Sequence, residues 1–545
     1  MWVLGLNAIP MGWHDSAACL VNEHGEIAAF VEQERMTRSK HAIRQRPVEA
    51  ARFCIDQAGI DPREIDVVAV GWDVPFGARR WRNINWTFEG IPDWLNNTLG
   101  WKRTWKDLPD FAFVPHHLAH AIAGFHASGW DSAAILVVDG NGEVEGTSIW
   151  AGTQGTRPVR KRVWPRSHSL GWMYDSASQF AGFSFLEAGK TMGLAAYGRA
   201  HEVEPWPLMT EDDDGLRPPF EIPERYDYPH IIEAWTKVFE DRAGGARVTA
   251  GARELDADET AVRAAWSAQV VIETRVRHLV DLARRETGEQ RVCLAGGVAL
   301  NCAANGLLDE PVYAPPIPHD AGVALGAAWH VAPPRSTRPL DPYLGPDVAM
   351  DMPDQSERDG LHVEPLDLDR VCEAIAAERI GAVAEGRAEV GPRALCARSI
   401  IASPADRAMK DRVNAVKDRE PWRPFGPVAL RSRSAHLWGE REHLTRYMIG
   451  GLAVTEEGRR AIPAAIHVDG TARPQVMADD APGTVAEVLR RRDGDPLINT
   501  SFNVRGQPIV TTGRDALAAF RAMDLDFLVL DGELYAKRAD WWRPE

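Results

Sequence analysis

The sequence predicts an α/β protein of two domains, and three observations carry that expectation. Short apolar runs that read as buried strands, Val3–Asn7, Val67–Val70, Ala133–Val138 and Val292–Ala295, alternate with helical stretches such as Pro47–Gly59 and Ala264–Arg285. Two of those runs end in glycine-bearing turns, Asp139-Gly140-Asn141-Gly142 and Gly296-Gly297, where open α/β sheets bind ligands. A proline-rich stretch from Pro333 to Pro342, with residues 343–354 after it, displaces all periodicity, so the chain is expected to divide into residues 1–345 and 355–545.

Composition narrows the classes. With 545 residues, 45% apolar and 26% charged, the chain is long enough for two cores of ordinary globular make-up. A net charge of −16 argues against a nucleic-acid partner, though basic residues gathered in one site can still hold phosphates. No basic leader and no long uncharged apolar run is present, so a cytoplasmic protein without a membrane partner is expected. Six cysteines lie scattered without CxxC spacing and read as reduced core residues. Nothing in the sequence fixes an oligomeric state.

Taken in order, the N-terminus reads as a meander of three strands whose first turn, Met11 to Ser16, carries His14 and Asp15. Gln33 to His41 is highly charged and is expected to be a solvated helix or loop. From Trp72 to Trp105 tryptophans are interleaved with arginines and prolines; a packed insertion is expected, with an acceptor wall as the sharper alternative. Glycines surround Lys190 in Glu187 to Gly198, allowing close backbone approach and a point charge for phosphate, but GKT without the upstream glycine is no P-loop. Residues 201–247 read as an acidic insertion, and Gly296-Gly297 as a strand-to-helix turn whose N–H groups face an anion or nucleotide.

A metal site is the sharpest candidate. Pro115 suits a helix start, and His116 and His120, four residues apart, project from one helical face. Asp139 follows a buried strand, and Asp320 opens the helix Val323 to Ala328, where a plain N-cap is its rival role. Two imidazoles and two carboxylates suit a divalent transition ion with positions left open for phosphate oxygens or water. The second domain concentrates its chemistry in three basic clusters, around Gly391 to Ser399, Lys410 to Phe425 and Asn499 to Gly506. These suggest a buried phosphate pocket; surface ion pairs with Asp411, Asp418 and Glu420 would account for the middle cluster alone.

HDSA, VEQERMTRSKH, HHLAHA, VVDGNGE, GKTMGLAAYG, LAGGVALNC, HDAGVALGAA, GPRAL, REPWRPFGP and NTSFNVRGQPIV, in that order, resemble the nodulation-factor and antibiotic O-carbamoyltransferase family. The resemblance implies an N-terminal actin-like ATPase domain of duplicated ribonuclease H-like halves and a YrdC-like α/β C-terminal domain. It implies that carbamoyl phosphate enters the C-terminal pocket and that ATP activates carbamate as carbamoyl adenylate. A hydroxyl of a small natural product, in antibiotic or glycoside tailoring, then accepts the carbamoyl group. Carried over by motif, His116, His120, Asp139 and Asp320 would be ligands of a divalent metal, Fe2+, with Mg2+ accompanying ATP. Gly140, Lys190, Gly296, Gly297 and Asn301 would serve the nucleotide. Arg393, Lys417, Arg423, Asn499, Ser501 and Arg505 would hold carbamoyl phosphate, and His14 with Asp15 would stand at the acceptor hydroxyl, His14 as general base. The chain departs from the pattern at Cys396, where the family usually has glycine, and at Ala196, where it often has proline.

Three other functions fit parts of the pattern. An actin-fold small-molecule kinase would need no second basic pocket, and a non-catalytic nucleotide-binding regulator would show no turnover. A threonylcarbamoyladenosine-type tRNA-modifying transferase is disfavoured by the acidic net charge.

Overall fold

A computed structural model of the chain describes residues 1–8, 14–81, 90–104, 106–209, 216–223, 228–335, 338–439 and 441–542. Met11, Gly12 and Trp13 of the expected first turn, Trp86 and Trp105, and part of the acidic stretch lie outside the described residues.

The first sheet holds β1 (Trp2–Asn7), β2 (Ala17–Asn22), β3 (Ile27–Glu32), β4 (Val67–Val70) and β5 (Asp110–Phe113) in the order β3-β2-β1-β4-β5. The β1–β2 and β2–β3 pairs are antiparallel, and β1–β4 and β4–β5 are parallel. The second holds β6 (Ser132–Val138), β7 (Glu145–Thr153), β8 (Val159–Pro165), β9 (Val292–Ala295) and β10 (Val312–Tyr313) in the order β10-β9-β6-β7-β8. Its two antiparallel and two parallel pairs fall in the same places. One topology therefore occurs twice, an antiparallel meander whose first strand carries two parallel strands on its other side. This is the duplicated ribonuclease H-like architecture of an actin-like core.

Helices His116–Ser128 and Val323–Val331 pack against each other and against these sheets. All thirteen residues of the first are buried, because its alanines admit neighbours on every side. Gly326 is where the helices meet, since a Cβ there would stand 1.9 Å from the Ala119 carbonyl oxygen. Ile122 and Phe125 fill the space beneath, each burial worth roughly 1.5–3 kcal/mol. The third sheet is mixed and eight-stranded. Its order across is His362–Pro365, Glu533–Ala536, Phe527–Leu530, Gly381–Ala384, Arg398–Ala402, Leu497–Ser501, Gly426–Leu430 and Gln475–Met477.

Several elements differ from the sequence expectation. Gln33 to His41 is no solvated segment: Gln33 and Arg35 are buried, and the stretch clasps the third-sheet region. Arg35 donates to the Gly391 carbonyl at 2.7 Å, the Gly391 N–H donates to Glu32 Oε1 at 2.7 Å, and Arg38 donates to the Ile509 and Pro508 carbonyls at 2.6 and 3.0 Å. Its charges have distant backbone partners, which charge density alone cannot reveal. Residues 188–200 form a helix packed on the 29-residue helix Glu259–Thr287, so the small residues around Lys190 serve helix contact as well. Within the acidic stretch, the helix Tyr228–Ala243 buries Ile231, Trp235 and Phe239 at helical spacing. Trp94 of the tryptophan-rich segment is core, packed with Leu95 and Leu99, as a packed insertion requires. Among the described residues no helix is long and apolar enough to cross a membrane.

Candidate active site: a four-donor cluster and a basic pocket on one cavity

Pro115 caps the helix His116–Ser128 and sets His116 at its first position, so the two imidazoles face the end of β6. His116 Nδ1 donates to the Gly71 carbonyl at 3.0 Å, which turns Nε2 inward. The His116 and His120 Nε2 atoms are 3.1 Å apart. Asp139 Oδ2 lies 3.4 and 3.7 Å from them, and Asp320 Oδ1 lies 3.6 and 3.7 Å away. Asp139 Oδ1 is held from behind by the Gly297 N–H at 2.7 Å. Asp320 is the first residue of a short 3-10 turn whose N-cap is His319, and the following helix is capped by Gly322, so the plain N-cap role is not what Asp320 plays.

Charge calls for a cation here. Burial opposes ionisation, yet the two histidines hold Asp139 and Asp320 well below the usual carboxylate range. Burial likewise works against His116, but Asp320 and Asp139 push it up to about 10. Donors about 2.1 Å from one ion stand ~3.0–3.4 Å from each other, so these separations fit a divalent transition ion after a small contraction. Trp72 stacks on His116, with ring centroids 3.6 Å apart and planes at 21°, and donates from Nε1 to Asn7 Oδ1 at 2.9 Å. Glu143, its pKa raised to about 7 by burial, accepts the His116 backbone N–H at 3.0 Å and fixes the helix start.

His14 stands above this cluster. Its Nδ1 is 2.9 Å from Asp15 Oδ2, while Asp15 Oδ1 is 3.0 Å from His41 Nδ1. Burial is the largest single influence and would lower His14, but the Asp15 hydrogen bond together with the charges of Asp15, Asp320 and Asp139 outweighs it and raises the pKa to about 8. Asn7 Nδ2 donates to the Asp15 carbonyl at 2.8 Å, so the residue beneath Trp72 also fixes the His14 loop.

Of the nucleotide candidates, Gly140, Lys190, Gly297 and Asn301 border one cavity of about 910 Å³, which Asp139, Asp320 and His14 also border. Gly296, with φ +87°, supports the turn from behind. The turn leads only into a four-residue 3-10 segment and a four-residue helix, and the Gly297 N–H already serves Asp139. Asn301 and Gln269 exchange two amide hydrogen bonds of 3.0 Å. Lys190 pairs with Glu187 at 2.7 Å and Glu420 at 3.2 Å, the second contact reaching the basic pocket.

That pocket opens on the same cavity through Arg393, Lys417, Arg423, Ser501 and Arg505. Lys417 Nζ donates to the Ser501 carbonyl and to Asn503 Oδ1. Burial, then neighbouring guanidinium groups, depress Lys417 and Arg393, the latter to about 9. Because guanidinium stays charged in proteins, this direction marks a positive field awaiting an anion. Asn499 borders the cavity, but its amide donates to Gln475 Oε1 at 2.6 Å and the Ala394 carbonyl at 3.0 Å. The surface-pair alternative holds for Asp418, which meets Arg253 at 2.5 Å in the open. It fails for Glu420, which is buried and meets Arg423 at 3.2 Å. Cys396 has φ +83°, a left-handed backbone that explains a glycine preference there.

Arg473 and Arg419 also line the pocket and were missed, whereas Trp72, the first residue of the tryptophan-rich segment weighed as a cavity wall, borders the same cavity over the cluster. Arg473 stands alone between Ala472 and Pro474, with no basic neighbour to signal it. Arg419 lay within a quoted cluster, whose charge alternation gave no means of choosing among its members.

An actin-like core and a mixed-sheet region sharing one cavity, with a cation-demanding cluster and an anion-demanding pocket on its walls, define an enzyme of group transfer. The chain belongs to the carbamoyltransferase family: residues 3–80 and 93–329 match the carbamoyltransferase N-terminus, and residues 372–537 the carbamoyltransferase C-terminus. It is 33% identical to the nodulation protein NolNO of Sinorhizobium fredii, over 97% of this chain and 80% of that one. It is also 33% identical to the uncharacterized protein sll1178 of Synechocystis, over 98% and 97%. Among solved structures, full-length HypF in its phosphate- and nucleotide-bound form covers 61% of this chain and 55% of its own, at 16% identity and a TM-score of 0.31.

Proposed function

We propose that the protein is an ATP-dependent O-carbamoyltransferase acting on a hydroxylated small molecule, with residues 1–345 activating and transferring and residues 355–545 receiving carbamoyl phosphate. One observation carries this reading: the basic pocket, the nucleotide candidates Gly140, Lys190, Gly297 and Asn301, the cluster's Asp139 and Asp320, and His14 all open on a single cavity of about 910 Å³. Arg393, Lys417, Arg423 and Arg473 neutralise the phosphate of carbamoyl phosphate, and water releases carbamate and phosphate. Carbamate then attacks the α-phosphorus of ATP, and pyrophosphate leaves. Lys190 offers a positive charge to the phosphates, and Asn301 borders the nucleotide.

His116, His120, Asp139 and Asp320 would hold a divalent transition ion, Fe2+ in this reading, with Mg2+ accompanying ATP. When bound, it supplies Lewis-acid stabilisation of charge developing on oxygen. His14, oriented by Asp15, takes the acceptor's proton as the hydroxyl oxygen attacks the carbamoyl carbon and AMP departs.

The test is carbamoyl phosphate-dependent release of pyrophosphate and AMP. Release of ADP without any need for carbamoyl phosphate would replace this reading with the kinase alternative. A hydroxyl screen followed by mass spectrometry for an added carbamoyl group then finds the acceptor.

A further inference from the structure

Around His14 the cavity wall changes chemistry. Trp172 and Asp175 lie three residues apart on the helix Leu170–Phe180, so they share a face, and both border the cavity. The rings of Tyr228 and Phe185 lie nearly parallel to Trp172, with planes at 17° and centroids 5.2 and 6.4 Å away. Phe185 also meets the His14 ring edge-on at 5.8 Å. Asp175 is 8% exposed, accepts a hydrogen bond from Gln179 Nε2 at 2.6 Å, and is raised by its burial. Among the described residues, no lysine or arginine forms an ion pair with it. The indole N–H of Trp172 is buried and, among the described residues, has no hydrogen-bond partner.

A Leu186 backbone hydrogen bond and the charge of His14 offset part of the burial of Asp175, but a buried carboxylate without a lysine or arginine partner is costly, and aromatic faces attract the same kind of ion that would satisfy it. We infer that Trp172, Asp175, Phe185 and Tyr228 form the acceptor subsite, and that it takes a hydroxylated molecule bearing a protonated amine. This rests on the proposed transfer at His14. It also accounts for transfer to oxygen: an ammonium held at Asp175 has no lone pair to attack with. The hydroxyl oxygen forms the new bond to the carbamoyl carbon, the bond to AMP oxygen breaks, the hydroxyl proton passes to His14, and the amine keeps its own protons.

Three matched sugars test the inference: D-glucosamine, N-acetyl-D-glucosamine and D-glucuronate, cationic, neutral and anionic. Binding is measured calorimetrically to the full chain. Glucosamine is expected to bind at least about tenfold more tightly than the neutral sugar, and Asp175→Asn to abolish that preference. Equal or tighter binding of the neutral or anionic sugar overturns the inference, as does binding of none of the three or a preference that survives Asp175→Asn. Should the variant fail to fold, the wild-type ranking decides. Acceptor-free, carbamoyl phosphate-dependent pyrophosphate release by the wild type separates the two readings. Its absence counts against the proposed reaction; its presence without a charge preference overturns only the subsite.

Discussion

Arg473→Met and Arg505→Ala should have very different effects, although both side chains border the basic pocket. Arg473 has a buried Nε without a hydrogen-bond partner and, among the described residues, pairs with no carboxylate. Its charge is therefore unspent until an anion arrives. Removing one side of a buried charge pair costs about 2–5 kcal/mol, which is ~30-fold to several thousandfold in affinity. Methionine keeps most of the stem volume, so packing loss contributes little. The Arg505 side chain is 44% exposed and already tied to Glu420 at 3.4 Å and to the Asp418 carbonyl at 2.6 Å. Exposed pairs are worth up to about 1 kcal/mol, so Arg505→Ala should cost less than roughly fivefold. The assay is KM for carbamoyl phosphate in pyrophosphate release at saturating ATP, with KM for ATP as the internal control. A larger loss in Arg505→Ala than in Arg473→Met would refute the assignment of the anion to the buried guanidinium.

His120→Ala should stay folded, because the surrounding actin-like core is amply buried, yet bind divalent metal at least about tenfold more weakly; metal analysis after dialysis and circular dichroism check both halves. For His14, raised to about 8, the neutral base accumulates only as pH rises through that value, so single-turnover transfer should increase with pH to an inflection at or below about 8. His14→Asn should lose that inflection and most of the transfer rate, and an unchanged profile would remove His14 from the proton transfer. Gly296→Ala should destabilise the protein by more than about 2 kcal/mol in chemical denaturation. A Cβ there meets the Val138 carbonyl oxygen at 2.3 Å, at a φ of +87° that L-residues resist.

The four-donor cluster was legible because each member obeys a local rule. His116 and His120 share a helical face, Asp139 ends a buried strand, and Asp320 opens a turn. Their convergence depends on the crossing of two helices at Gly326, which no local pattern encodes. The repeated strand order was invisible in the residues, since two sheets can share a hydrogen-bonding pattern while their side chains diverge. The segment from Gln33 to His41 misled for a complementary reason. Its polarity is genuine, but its acceptors lie more than 350 residues away in sequence. Asn499 and Ser501, two residues apart on one strand, share a face and both border the cavity, but the Asn499 amide is already taken up by Gln475 and the Ala394 carbonyl, partners that the motif alone does not reveal.

The clasp made by Glu32, Arg35 and Arg38 has a consequence for synthesis on the ribosome. Those side chains emerge within the first tenth of the chain, but the Gly391, Pro508 and Ile509 groups they bind are made much later, the last two within 40 residues of Glu545. Until then the actin-like half carries three charged side chains whose final partners do not exist, and water must solvate them. The seam they close is therefore completed only when the segment carrying Pro508 and Ile509 has been made.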